Sequence, residues 1–501
     1  MKRSDGESNV GRGAIFLYIE SISTIISGFV FWMIVSKVAN TDIIGASSAA
    51  MSFAGILSVV AGIGISACIQ RFLGKHLSEQ KLFDAKLFVI SSIILVSTGI
   101  FVCSILILAY SSSIYDTFKI EFELLVVTLF LMATSTLMML FRSVIISSLD
   151  TKNLPLITTI SVIAKIILAI IFIFQGMGAI GLTLGVVFSQ IIFCILSGYV
   201  ILKIFRSVTY DRNLSVSGLI CTSTIVLRSG LAFWIPLLIT TIGSQLGIIV
   251  LFGSEGAEES AVYFIALTIV NGLSTIVFTL FTIVLPALSA MNDGRKRFMW
   301  QAIRFTGFIT LPFASSLIFY SKDIMNLIGS SYIDGTNSLQ ILLLSIFPTI
   351  IFSGVNDLVH SYGKYRQVLI IGLVISIPRT AFYFILIPLY GDIGASIAYT
   401  IGALAGMMVS YIIAKKICLH INWQHMLVMF LIPLGLSFVM SYVQLNYIIG
   451  IAVTMLISYL ILIGLRIISK LDILFSLGLL PSRISKPLIN IVNLACSKLR
   501  I

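Results

Sequence analysis

The sequence predicts an all-α integral membrane protein of about fourteen transmembrane helices, on three observations. Apolar residues make up 58% of the 501 positions, charged ones only 10%, and mean hydropathy is +1.10. Such a composition leaves no stretch for a soluble domain of ordinary size. The apolar residues gather in continuous runs of about 20, the helical length that crosses the hydrocarbon core, whereas a membrane barrel would alternate apolar and polar residues in segments of about ten. Lys and Arg fall almost entirely in every second gap between the runs.

A cytoplasmic tail over 1–13 precedes the first run, at 14–36. That run is too long for the apolar region of a signal peptide and has no small-residue cleavage site behind it, so it is expected to remain as a span. Runs at 47–70, 87–110, 124–147, 157–175 and 180–204 complete a first group of six, over 14–205. A cytoplasmic linker at 206–222 leads to runs at 223–251, 261–289, 304–320, 337–359, 368–389 and 393–414, a second group of six over 223–416. An extra pair at 425–443 and 447–465 follows, and 466–501 reads as a cytoplasmic amphipathic tail, broken at Pro481 and Pro487, against anionic membrane lipid.

Of the 32 Lys and Arg, 26 fall on one side of these spans, three on the other (Lys37, Lys119, Lys322) and three inside them (Lys165, Arg228, Arg379). This asymmetry is the positive-inside signature, and it places both termini in the cytoplasm of a multi-pass plasma-membrane protein. A net charge of +12 is elsewhere a sign of nucleic-acid binding, but no loop is large enough to fold into a basic surface, so nucleic acid is excluded as a partner. The six cysteines lie in spans or on the cytoplasmic side, form no CxxC and read as packing residues; no metal site is expected.

The two halves repeat. AKIILAIIFIFQGMGAIGLTLG at 164–185 parallels IPRTAFYFILIPLYGDIGASIA at 377–398: each is an apolar span carrying a basic residue, a Gly-x-x-Gly turn and a small-residue opening to the next span. Likewise NTDIIGASSAAMSF at 40–53 parallels SEGAEESAVYFIAL at 254–267. Six spans per half put the copies in parallel topology, and in repeat-built transporters the substrate site lies at the repeat interface.

The segments DIIGASSAAMSFAGILSVVAGIGISACIQRFLGK and GSEGAEESAVYFIALTIVNGLSTIVFTLFTIVLPALSAMNDG, with the junction at 390–394, resemble the polysaccharide-exporter branch of the multidrug/oligosaccharidyl-lipid/polysaccharide (MOP) flippase superfamily. The likeness extends over about 10–416. It implies two six-helix lobes around a central cavity, two extra C-terminal helices, and translocation by alternating access of a polyprenyl- or dolichyl-diphosphate-linked oligosaccharide, working alongside glycan-assembly enzymes.

The residues supply their own reading. A cation at a helix centre costs about 2.5–3.5 kcal/mol on insertion scales, so Lys165 and Arg379 need a reason to lie near mid-span. Two cations in nearly matching repeat positions suit a diphosphate, Arg by bidentate contact and Lys as a point charge. Arg228 and Arg142, nearer the cytoplasmic ends, are either interfacial anchors or a first phosphate-binding pair. Glu20, with Thr24 and Ser27 at i+4 and i+7, draws a polar stripe on the first span. The carboxylate either takes up a coupling proton or Na⁺ or balances a cation, Arg228 being the expected partner. Tyr263 and Asn271 are read as cavity-lining groups for sugar, and Pro236 as a hinge or a static kink.

No cofactor is expected beyond a proton or Na⁺ gradient. A cation-coupled multidrug (MATE-like) antiporter is the runner-up, though a cavity for organic cations should be acidic. A membrane glycosyltransferase or polymerase would need sizeable loops carrying carboxylates or metal ligands, which loops this short do not provide, so the chain reads as a transporter and not an enzyme.

Overall fold

The computed structural model describes residues 2–79, 81–148, 151–206, 216–291, 293–443, 445–465 and 467. All regular structure among them is helical. Among the described residues, thirteen helices are long and apolar enough to cross a membrane. The longest, Tyr365–Lys416, reverses at Gly391 (φ 54°, ψ −130°) and so supplies two spans, which brings the total to the fourteen expected. The expected tail over 466–501 lies outside the described residues, apart from Ile467, as does 207–215 of the expected linker.

The chain divides into two compact units, Met1–Ala261 and Val262–Ile501. The first holds α1 (Lys2–Val38), α2 (Thr41–Gly62), α3 (Ile65–Ser78), α4 (Leu82–Ala109), α5 (Ser111–Phe118), α6 (Phe122–Ser147), α7 (Leu154–Phe174), α8 (Gly178–Phe205) and α9 (Val216–Glu255). Helix α1 starts at Lys2, so residues expected as a tail continue the first span's helix. The expected second span is two helices, because Ile63 turns left-handed (φ 46°) and Gly64 follows it at φ 67°. Helix α9, expected to open the second group, packs on α2, α3 and α4. At that contact the indole Nε1 of Trp234 donates to the Val59 carbonyl at 2.9 Å, satisfying a polar group that hydrocarbon would strand.

The second unit is built from most of α10 (Ala257–Ala290), then α11 (Arg295–Phe319), α12 (Ser321–Ile328), α13 (Thr336–Leu344), α14 (Ile346–Ser361), α15 (Tyr365–Lys416), α16 (Trp423–Tyr442) and α17 (Tyr447–Gly464). Helices α13 and α14 together form the expected span at 337–359, stepping at Ser345. The extra pair, α16 and α17, lies against α11.

The internal repeat is firmer in three dimensions than in the letters. Gly178 and Gly391 both adopt φ 54°, each at the reversal between the fifth and sixth spans of its half. Two short helices absent from the expected pattern, α5 and α12, follow the third span of each half, and they begin YSSSI at 110–114 and YSKDI at 320–324. Ile114 and Ile324 anchor them, both buried.

The backbone at Gly391 belongs to a region that L-residues avoid. Gly391→Ala is therefore expected to cost about 1–3 kcal/mol. Gly435→Ala, in open space on α16, should be neutral or slightly stabilising through helix propensity. Thermal denaturation of the two purified variants checks the pair, and equal midpoints would remove the strain argument.

Candidate functional site

The charges at membrane depth define the candidate site, and each unit holds its own set. In the first, Glu20 of α1 is only 4% exposed. It accepts a fork of hydrogen bonds from Arg142 of α6, Nε to Oε1 at 2.9 Å and Nη2 to Oε2 at 2.8 Å. Thr158 of α7 adds a long contact to Oε1 at 3.5 Å. Charge-assisted bidentate pairs of this kind fix geometry as well as charge. The carboxylate thus pairs with Arg142 and not, as expected, with Arg228. The reason is helix placement: Arg228 is exposed on α9 and has no ion-pair partner among the described residues. Arg142, expected to meet phosphate, already carries a counter-charge, although its side chain is 41% exposed.

Lys165 lies seven residues beyond Thr158 on α7, beside α1. Its Nζ sits 4.0 Å from the centroid of the buried Phe31 ring, and it makes no ion pair among the described residues. The π face offsets part of the desolvation of the ammonium without neutralising it. The hydroxyls of the expected polar stripe turn back to their own helix, Thr24 to the Glu20 carbonyl at 2.8 Å and Ser27 to the Thr24 carbonyl at 3.2 Å. Their lone pairs remain available while their protons are committed. Helix α9 runs through Pro236 without interruption, and Thr240 donates to the Pro236 carbonyl at 3.0 Å.

In the second unit Arg379 is 6% exposed, with its guanidinium 3.8 Å from the centroid of Tyr399 across the Gly391 reversal. A Cβ on Gly402 would come within 2.8 Å of the arginine Nε, so only glycine lets the returning half of α15 lie this close. Tyr263 of α10 and Tyr383 of α15 are fully buried around the same arginine. Tyr263 is therefore not a cavity-lining sugar contact, as the sequence suggested, because burial against Tyr383 removes its hydroxyl from reach. Asn271, two turns along α10, is exposed.

Lys165 and Arg379 stand thirteen and twelve residues before the equivalent glycines Gly178 and Gly391, and both stack on an aromatic ring. The aromatic partners were missed. Tyr383, at i+4 from Arg379, was in principle legible from helical spacing, whereas Phe31 and Tyr399 come from other segments and carry no local signal. No group of His, Cys, Asp or Glu among the described residues is arranged to hold a metal.

Comparison with known proteins places the chain. Residues 10–292 match the model of a family described as polysaccharide biosynthesis protein. The chain belongs to that family. No curated protein sequence matches it. Among solved structures, its fold is similar to that of the lipid II flippase MurJ in an inward closed conformation, with a TM-score of 0.72 at 18% identity over 90% of this chain and 98% of that one. It is also similar to an inward-facing multidrug resistance MATE transporter of the MOP superfamily (TM-score 0.63, 15% identity, 80% and 97% covered). A third likeness is to a MOP superfamily transporter from Pyrococcus furiosus (TM-score 0.53, 16% identity, 81% and 95% covered). This family member is thus a multi-pass membrane protein whose fold is similar to that of solved flippases and transporters of the MOP superfamily.

Proposed function

We propose that the protein flips a polyprenyl- or dolichyl-diphosphate-linked oligosaccharide from the cytoplasmic to the outer leaflet of the plasma membrane, by alternating access, in surface glycan assembly. The observation that carries the reading is the charge balance at membrane depth. Glu20 is cancelled by Arg142, which leaves Lys165 of the first unit as a cation without a carboxylate partner among the described residues. A site that retains net positive charge favours a polyanion and disfavours the organic cations of a drug antiporter. Half-buried Lys165 and exposed Arg228 are the groups assigned to the diphosphate. A flippase with this fold acts on lipid II, itself lipid-linked. Both termini are assigned to the cytoplasm, next to the glycan-assembly enzymes.

The test is complementation of a flippase-null strain, reading how much lipid-linked glycan becomes accessible at the outer leaflet. Restored exposure that Lys165→Met abolishes is the expected result. Glycan retained inside, together with increased efflux of organic cations, would instead identify a drug antiporter.

A further inference from the structure

We propose that Arg379, Tyr263 and Tyr383 form a binding site for one small monovalent anion of halide size inside the second unit, independent of the glycan reading. Three polar side chains that are 6%, 0% and 0% exposed converge there. The Nε of Arg379 and the hydroxyls of Tyr263 and Tyr383 are buried, and apart from the contact between the two hydroxyls none has a hydrogen-bond partner in the protein. One tyrosine can donate to the other; the second O–H and the guanidinium Nε–H are then left with no acceptor.

The donors are also without a counter-charge. Arg379 makes no ion pair among the described residues, and Asp392 at the reversal is occupied by Ser338 Oγ at 2.7 Å and the Ile393 amide at 2.8 Å. Tyr399 covers a face of the guanidinium, so the remaining bonding capacity lies in the plane of its N–H donors. Ser376, one turn earlier on α15, brings a further buried hydroxyl without a partner. A cluster of donors around an uncompensated cation in hydrocarbon calls for an anion. Arg379 is only 6% exposed and Gly402 packs onto its Nε, which leaves little room beside the donors for a group larger than a single-atom ion.

The test uses the purified full-length protein in detergent at constant ionic strength. Its thermal midpoint is followed as sodium gluconate is replaced by sodium chloride or bromide, with sodium pyrophosphate as a separate arm. A saturable halide-dependent rise is expected for the wild type and for Lys165→Gln. Arg379→Gln should lose it, and the Tyr263→Phe/Tyr383→Phe double variant, which keeps the ring packing should Arg379→Gln fail to fold, should show an apparent affinity about tenfold weaker. No halide response in the wild type would overturn the proposal and leave the donors to water. A response to pyrophosphate alone would also overturn it, by returning Arg379 to the head group.

Discussion

Arg142→Met is expected to destabilise the protein by about 3–5 kcal/mol, the range for breaking a buried pair from one side. The Glu20 carboxylate would be left 4% exposed, with only the long Thr158 contact. The reverse change should be milder. Glu20→Gln keeps an acceptor for Arg142, and the guanidinium is exposed enough to recover solvation. The double variant Glu20→Leu/Arg142→Met should recover most of the loss, since two apolar side chains replace two compensated charges. Chemical denaturation of the four proteins measures the coupling. A double variant as unstable as the sum of its parents would show that the pair is not a unit. Glu20→Gln also addresses coupling, because export that keeps its wild-type rate and ionophore sensitivity in this variant excludes Glu20 as the proton-carrying group.

Lys165→Met is expected to lower translocation by about tenfold to a hundredfold, the loss of one charge-assisted contact to phosphate. Stability should move the other way. The substitution removes a cation that has no carboxylate partner, so the variant should be at least as abundant and as heat-resistant as the wild type. Lys165→Arg can keep both the charge and the stacking on Phe31 and should retain part of the activity. Quantitative export alongside a thermal melt separates the two effects. Full export by Lys165→Met would make the lysine a structural residue.

The spans were legible because insertion into hydrocarbon demands long apolar runs whatever the neighbours are. The breaks inside them were not. Ile63 is β-branched and apolar, and nothing in its composition announces a left-handed residue; the contacts of Gly64 and Trp234 with the neighbouring helices impose it. Helices α5 and α12 are too short for a membrane pattern, and only the shared Tyr-Ser opening marked them. The unpaired cations at Lys165 and Arg379 were readable from their cost alone. The Glu20–Arg142 pairing was not, because the two residues stand 122 positions apart and sequence distance carries no pairing information. Tyr263 was misread for the same reason: a tyrosine on an apolar helix looks alike whether its hydroxyl faces a cavity or another tyrosine.

The single-residue reversal at Gly391 also bears on how the chain is made. Its two arms have no loop between them, so the bilayer receives them as a helical hairpin. An arginine delivered on a lone helix would meet lipid bare, at about 2.5–3.5 kcal/mol. Here Tyr399, synthesised twenty residues later, folds back onto Arg379 as the hairpin closes, with Gly402 clearing the space. The Gly391 turn thus covers one face of the guanidinium at membrane depth, which lowers the cost of holding the charge there.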